Sequence, residues 1–183
     1  TEGRSCMESR RKRRRSQLYK WGLYFLLLLA CTVVQTLPGF LLIGQAKPVL
    51  LLPLALAVAV WEDEFSGALF GAVCGLMWDY AAGRTAGLLA LTVMGLSFAV
   101  SVAGQLYLKL NTFNFALLAG GAVWLVLSGD FLFYYAMPGY SDMLGRYLAY
   151  IPLTVLMSGA LAALLYRAAG WISQTFKIDN GVL

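Results

Sequence analysis

Two aspartates invite chemistry because each interrupts an apolar run. Asp79 lies late in a stretch that begins at Gly67, and Asp130 lies within the stretch from Phe113 to Ala136. A carboxylate inside a membrane-spanning segment is costly unless it faces protein and finds a partner, so each acid marks a site. Arg84, shortly after Asp79, is its nearest candidate partner. At similar depths near one membrane face, the two acids could bind a cation, relay protons, or hold Arg84, Arg146 or Lys47 in a structural network. A polar network of Asp79, Arg84 and Asp130 is the stronger reading. A proton or cation path needs ionisable groups deeper in the spans, where only amides and hydroxyls such as Gln35, Gln105, Ser97 and Ser101 occur.

The chain contains no histidine, which removes Ser-His-Asp and Cys-His catalysis, HExxH zinc sites and imidazole proton shuttles together. Cys6, Cys31 and Cys74 are too scattered for a disulfide framework, and the last two sit in apolar runs where cysteine behaves as a small hydrophobe. No catalytic residue, metal site or cofactor is expected.

Gly67, Gly71 and Gly75 recur every four residues and form one flat ridge on a helix. Such a ridge lets another backbone approach closely, either within the bundle or from a partner. If it is intermolecular, Gly71→Leu or Gly75→Leu would abolish partner capture and leave insertion intact. Phe131, Tyr134, Tyr135, Tyr140 and Tyr147 cluster around a loop carrying Pro138 and Gly139. They serve equally well as an interfacial aromatic belt or as a docking surface.

The elements that must position these residues are helices in lipid. The chain of 183 residues is 60% apolar and 13% charged, against a globular norm of about 45–50% and about 25%. The surplus apolar surface must face something other than water. Breaking it at charges, Pro and Gly leaves six candidate spans, about 21 to 43, 48 to 61, 65 to 82, 86 to 108, 113 to 136 and 147 to 169. The second is short and contains Pro53, which predicts a broken, tilted or re-entrant segment and leaves the count at five or six.

Charge orients the bundle. Residues 1 to 20 hold eight Lys/Arg and two acids, 8 − 2 = +6, and the remainder is 6 − 7 = −1. With that tail cytoplasmic, eleven basic residues fall inside and three, Lys47, Arg84 and Arg146, outside, as the positive-inside rule requires. The run Arg10 to Arg15 therefore reads as a topology anchor rather than a nucleic-acid surface. Glu62, Asp63 and Glu64 form a cytoplasmic turn, either solvated or a patch for a basic partner or for the tail itself. Met7 is the expected initiator. The expected organisation is an all-α polytopic membrane helix bundle with both termini cytoplasmic: residues 1–20 a basic tail, 21–171 one transmembrane domain, 172–183 a C-terminal tail.

These residues resemble the MreD family of rod shape-determining proteins. The likeness runs from about Trp21 to Trp171: a basic start, Gln35 and Thr36 late in the first span, Pro48 opening the second, then Gly67, Gly71, Gly75, Leu76, Asp79, Gly83 and Gly87. Val49 follows Pro48 where the family has an acidic residue. The resemblance implies a non-enzymatic scaffold of the bacterial inner membrane. It implies binding to MreC and, through it, coupling of the MreB filament to RodA and its penicillin-binding transpeptidase. It also implies a helical arrangement similar to the substrate-binding subunits of energy-coupling-factor vitamin transporters. That similarity supplies a rival expectation, a transporter subunit with a buried small molecule near Asp79 and Asp130.

Overall fold

The structure is a computed structural model that describes residues 2–37, 39, 46–83, 87–106, 111–133 and 143–176, with side chains described from Arg15 onward except at 105–106 and 143–144. Six helices make up the described regular structure: α1 (Glu2–Thr36), α2 (Leu51–Trp61), α3 (Glu64–Ala81), α4 (Leu88–Leu106), α5 (Thr112–Phe131) and α6 (Met143–Thr175). The described residues contain no strand. Three helices, α1 from Arg15, α5, and α6 from Gly145, are each long and apolar enough to cross a membrane. An α-helical membrane protein accounts for this architecture.

The helices follow the expected segments closely from α2 to α5. Elsewhere the bounds differ. Helix α1 ends at Thr36 rather than near 43, and its backbone is already helical through the basic segment, which is continuous with the span. Helix α6 runs past residue 171 to Thr175, and Ile172 and Ser173 are buried, so the bundle includes the start of the expected C-terminal tail.

Helix α2 is the centre. Every residue from Leu51 to Ala59 is buried, and α2 packs against all five other helices. Around it stand two hairpins, α3 with α4 and α5 with α6, while α4 and α5 scarcely touch each other. The outer helices turn apolar side chains away from the core, among them Phe25 and Leu29 of α1, Leu91 and Phe98 of α4, and Leu117 and Trp124 of α5. Leu, Phe and Trp exposed on this scale belong against lipid.

With 11 residues, α2 rises only about 17 Å, roughly half the hydrocarbon thickness. The buried residues Pro48, Val49 and Leu50 that lead into it are not helical. Irregular backbone is tolerated at membrane depth only where protein satisfies its polar groups. Here Gln35 of α1 does so through Oε1, which accepts from the N–H groups of Leu50 (3.0 Å) and Leu51 (3.2 Å). Ser158 of α6 accepts from the Val49 N–H at 2.9 Å. Pro53 is the third residue of the helix, where an N–H has no intrahelical acceptor in any case. It therefore opens α2 without breaking it.

The far end of α2 is tied as well. The Ser173 hydroxyl donates to the Trp61 carbonyl at 3.4 Å, and the Trp61 ring lies where a Cβ on Gly170 would sit 2.8 Å from it. Leaving a buried donor without its acceptor costs about 1–3 kcal/mol. Gln35→Leu and Ser158→Ala are each expected to lower the melting temperature in detergent. Thr175→Ala, which removes an exposed hydroxyl bonded to its own helix, should leave it nearly unchanged.

Candidate functional site

The glycine ridge faces inward. A Cβ on Gly67 would stand 2.6 Å from Ala59 Cα of α2, and one on Gly75 would stand 2.7 Å from the Leu89 carbonyl oxygen of α4. At Gly71 it would meet Ser97 and lie 3.2 Å from the Val93 carbonyl oxygen. Backbone cannot yield as a flexible side chain can, so these glycines are what lets α3 lie against α2 and α4 at once. The opposite side of α3 carries Phe65, Leu69, Leu76 and Tyr80, all exposed. Packing inside the bundle occupies the ridge, and Gly71→Leu or Gly75→Leu would disrupt the fold before it could report on a partner.

Asp79, 1% exposed in the last full turn of α3, accepts the Gly87 N–H on Oδ2 at 2.8 Å. Gly87 precedes α4 with φ +116°, and Gly83, just past α3, has φ +63°, a region glycine enters without steric cost. The carboxylate thus latches the turn between α3 and α4 and sits at the N-terminus of α4, where negative charge is favoured. Arg84, the expected partner, lies outside the described residues.

Asp130 belongs elsewhere. It lines an open cavity of about 520 Å³, and Asp79 is not among the lining residues. The cavity sits where α1, α3 and α5 end and α6 begins. Its polar wall comprises Gln35, Thr36, Lys47, Asp130, Arg146 and Tyr150, and its apolar wall includes Trp78, Leu127, Phe131 and Ile151. Lys47 Nζ donates to the Leu37 carbonyl at 2.9 Å. Phe131 meets Tyr147 edge-on at 5.4 Å, and the Tyr147 and Ser128 hydroxyls are 2.9 Å apart. This pair of the aromatic cluster joins α5 to α6. Tyr134, Tyr135 and Tyr140 lie outside the described residues.

The opposite end holds an ion pair. Lys20 Nζ lies 2.6 Å from Glu62 Oε2, with the two side chains 10% and 9% exposed. The Tyr24 hydroxyl donates to Glu62 Oε1 at 2.8 Å and approaches the Ala169 carbonyl at 3.4 Å. Of the uses expected for the acidic turn, Glu62 takes the one toward the chain's own basic segment, through Lys20. Tyr24, Ser158 and Ser173 were missed as structural polar residues. The signal for Tyr24 was spacing: Lys20, Tyr24, Leu28, Cys31 and Gln35 fall on one helix face, and the first four are buried.

No family model, curated protein or solved structure matches the chain. The chemistry rests on geometry alone. Among the described residues no cluster of His, Cys, Asp and Glu is arranged to hold a metal. Among the described residues the arrangement offers a latched hairpin, a buried ion pair and a cavity lined by Lys47, Arg146 and Asp130.

Two outcomes are expected. Gly75→Ala overpacks a backbone contact and should destabilise by about 1–3 kcal/mol, whereas Gly95→Ala, whose Cβ would meet nothing within 4 Å, should not; thermal melts of both variants check this. Glu62→Leu alone leaves the Lys20 charge buried and unpaired, at a cost of about 3–5 kcal/mol. Adding Lys20→Met should recover most of that loss, as a double-mutant cycle would measure.

Proposed function

We propose that this protein is a non-enzymatic membrane scaffold of the bacterial cell-elongation machinery, an MreD-type component of the inner membrane. In this reading it binds MreC and helps couple it to the MreB filament, RodA and the penicillin-binding transpeptidase, so regulating cell shape. All six helical segments lie in the membrane, with α2 preceded by non-helical backbone. The Lys20–Glu62 end faces the cytoplasm with both termini, and the cavity opens on the outer side. The charge balance along the chain supports that orientation.

The observation that carries the proposal is the division of labour on α3. Gly67, Gly71, Gly75 and Asp79, on which the resemblance rests, all serve the bundle's own packing. The apolar side of α3 from Phe65 to Tyr80 remains exposed. A rigid bundle with free apolar helix faces suits recruitment of a single-span partner better than chemistry on a substrate.

One observation favours a second reading, a small-molecule-binding subunit of an energy-coupling-factor-type transporter: the cavity beside Asp130. Capture of the tagged protein from bacterial membranes in mild detergent, with mass spectrometry of retained proteins and small molecules, separates the two. The scaffold predicts MreC together with elongation enzymes. An ATP-binding-cassette motor with a bound vitamin-like molecule would replace it.

A further inference from the structure

Asp130 also lines a second hollow, about 380 Å³, between the first turns of α4 and the last turns of α5. Its other walls are almost wholly apolar and include Leu88, Leu91, Leu125 and Phe133. It follows α4 from Leu88 to Leu96, about 12 Å into the membrane. Two features keep it open. Helices α4 and α5 scarcely touch, α4 being held mainly by α3 and α5 mainly by α6, and Gly95 and Gly129, which face the hollow, have nothing within 4 Å of where a Cβ would be. Side chains flanking a void lose dispersion contacts, so a hydrocarbon chain entering from the bilayer would fill this one favourably.

The adjoining polar cavity has the opposite character. Among the described residues that line it, Lys47 and Arg146 against Asp130 give 2 − 1 = +1. Gln35 has its amide oxygen engaged by Leu50 and Leu51, so toward the cavity it offers N–H donors. Helix α6 begins here, and its N-terminal dipole adds positive potential. A guanidinium and an ammonium over aromatic and aliphatic walls match a phosphate ester attached to something greasy.

We propose that these two hollows form one binding site for an anionic, phosphate-bearing membrane lipid. The headgroup lies between Lys47 and Arg146, and one hydrocarbon chain passes Asp130 into the slot between α4 and α5. The site requires only that the bundle lie in a bilayer, and stands whether or not the scaffold reading does.

Native mass spectrometry of the detergent-purified full chain tests it, with dioleoyl phosphatidylglycerol, dioleoyl phosphatidylethanolamine, diolein and inorganic phosphate as separate probes. Phosphatidylglycerol is expected to bind about tenfold or more tightly than phosphatidylethanolamine or diolein, and inorganic phosphate should not displace it. The double variant K47Q/R146Q should erase the preference between the two phospholipids. Gly129→Leu, which fills the slot, should weaken both of them. Gly95→Leu fills the same slot from the other helix and serves if Gly129→Leu melts early. Equal binding of the two phospholipids to the unmodified protein, a preference that survives both kinds of variant, or displacement by inorganic phosphate would each overturn the proposal.

Discussion

A short helix buried on every side cannot rely on water to satisfy its ends, and everything around α2 answers that constraint. Its first free N–H groups point at Gln35 of α1 and Ser158 of α6. Its last carbonyl takes Ser173, and the residue after it anchors Lys20 and Tyr24. The partners come from the first and last helices of the chain. Those two helices supply the acceptors for its leading N–H groups and the donor for its last carbonyl, which the aliphatic side chains of α2 cannot.

From this centre the rest of the packing follows. Each hairpin leans on α2 rather than on the other hairpin, so the α3–α4 side needs glycine for close approach while the α5–α6 side uses the Phe115–Tyr166 stack at 4.5 Å and the Tyr147–Ser128 bond. Where neither hairpin reaches the other, between α4 and α5, the bundle is open. Openness there is a by-product of organising five helices around one short one, and Asp130 lines both that hollow and the polar cavity.

Much of the fold was legible in the sequence because lipid simplifies the code. Long apolar runs broken by Gly, Pro and charge set α3, α4 and α5 within a few residues, and the four-residue glycine spacing correctly marked a close-packing face. The second span was expected at 48 to 61 and is short as expected, but Pro53 does not break it, because proline's effect depends on its position in the helix. The bounds of α1 and α6 misled because a basic segment can continue a helix and because buried Ser173 looks like any polar tail residue. The acids were harder. Spacing put Asp79 and Asp130 at similar depth, but only tertiary structure distinguishes a carboxylate that grips the Gly87 amide from one that lines a cavity. Ser158 carried no local signal at all, since its partner lies far away in the chain.

That distance has a consequence for how the protein is made. The bond from Val49 to Ser158 joins residues 109 positions apart. When α2 leaves the ribosome, the serine that completes it has yet to be synthesised. Gln35 precedes α2 and can meet it at once; α6 arrives last. Until α6 is made, the Val49 N–H therefore lacks the acceptor that satisfies it in the folded chain. The lead-in to α2 is complete only once α6 is present, so α2, second of the six described helices, is sealed after the sixth has been made.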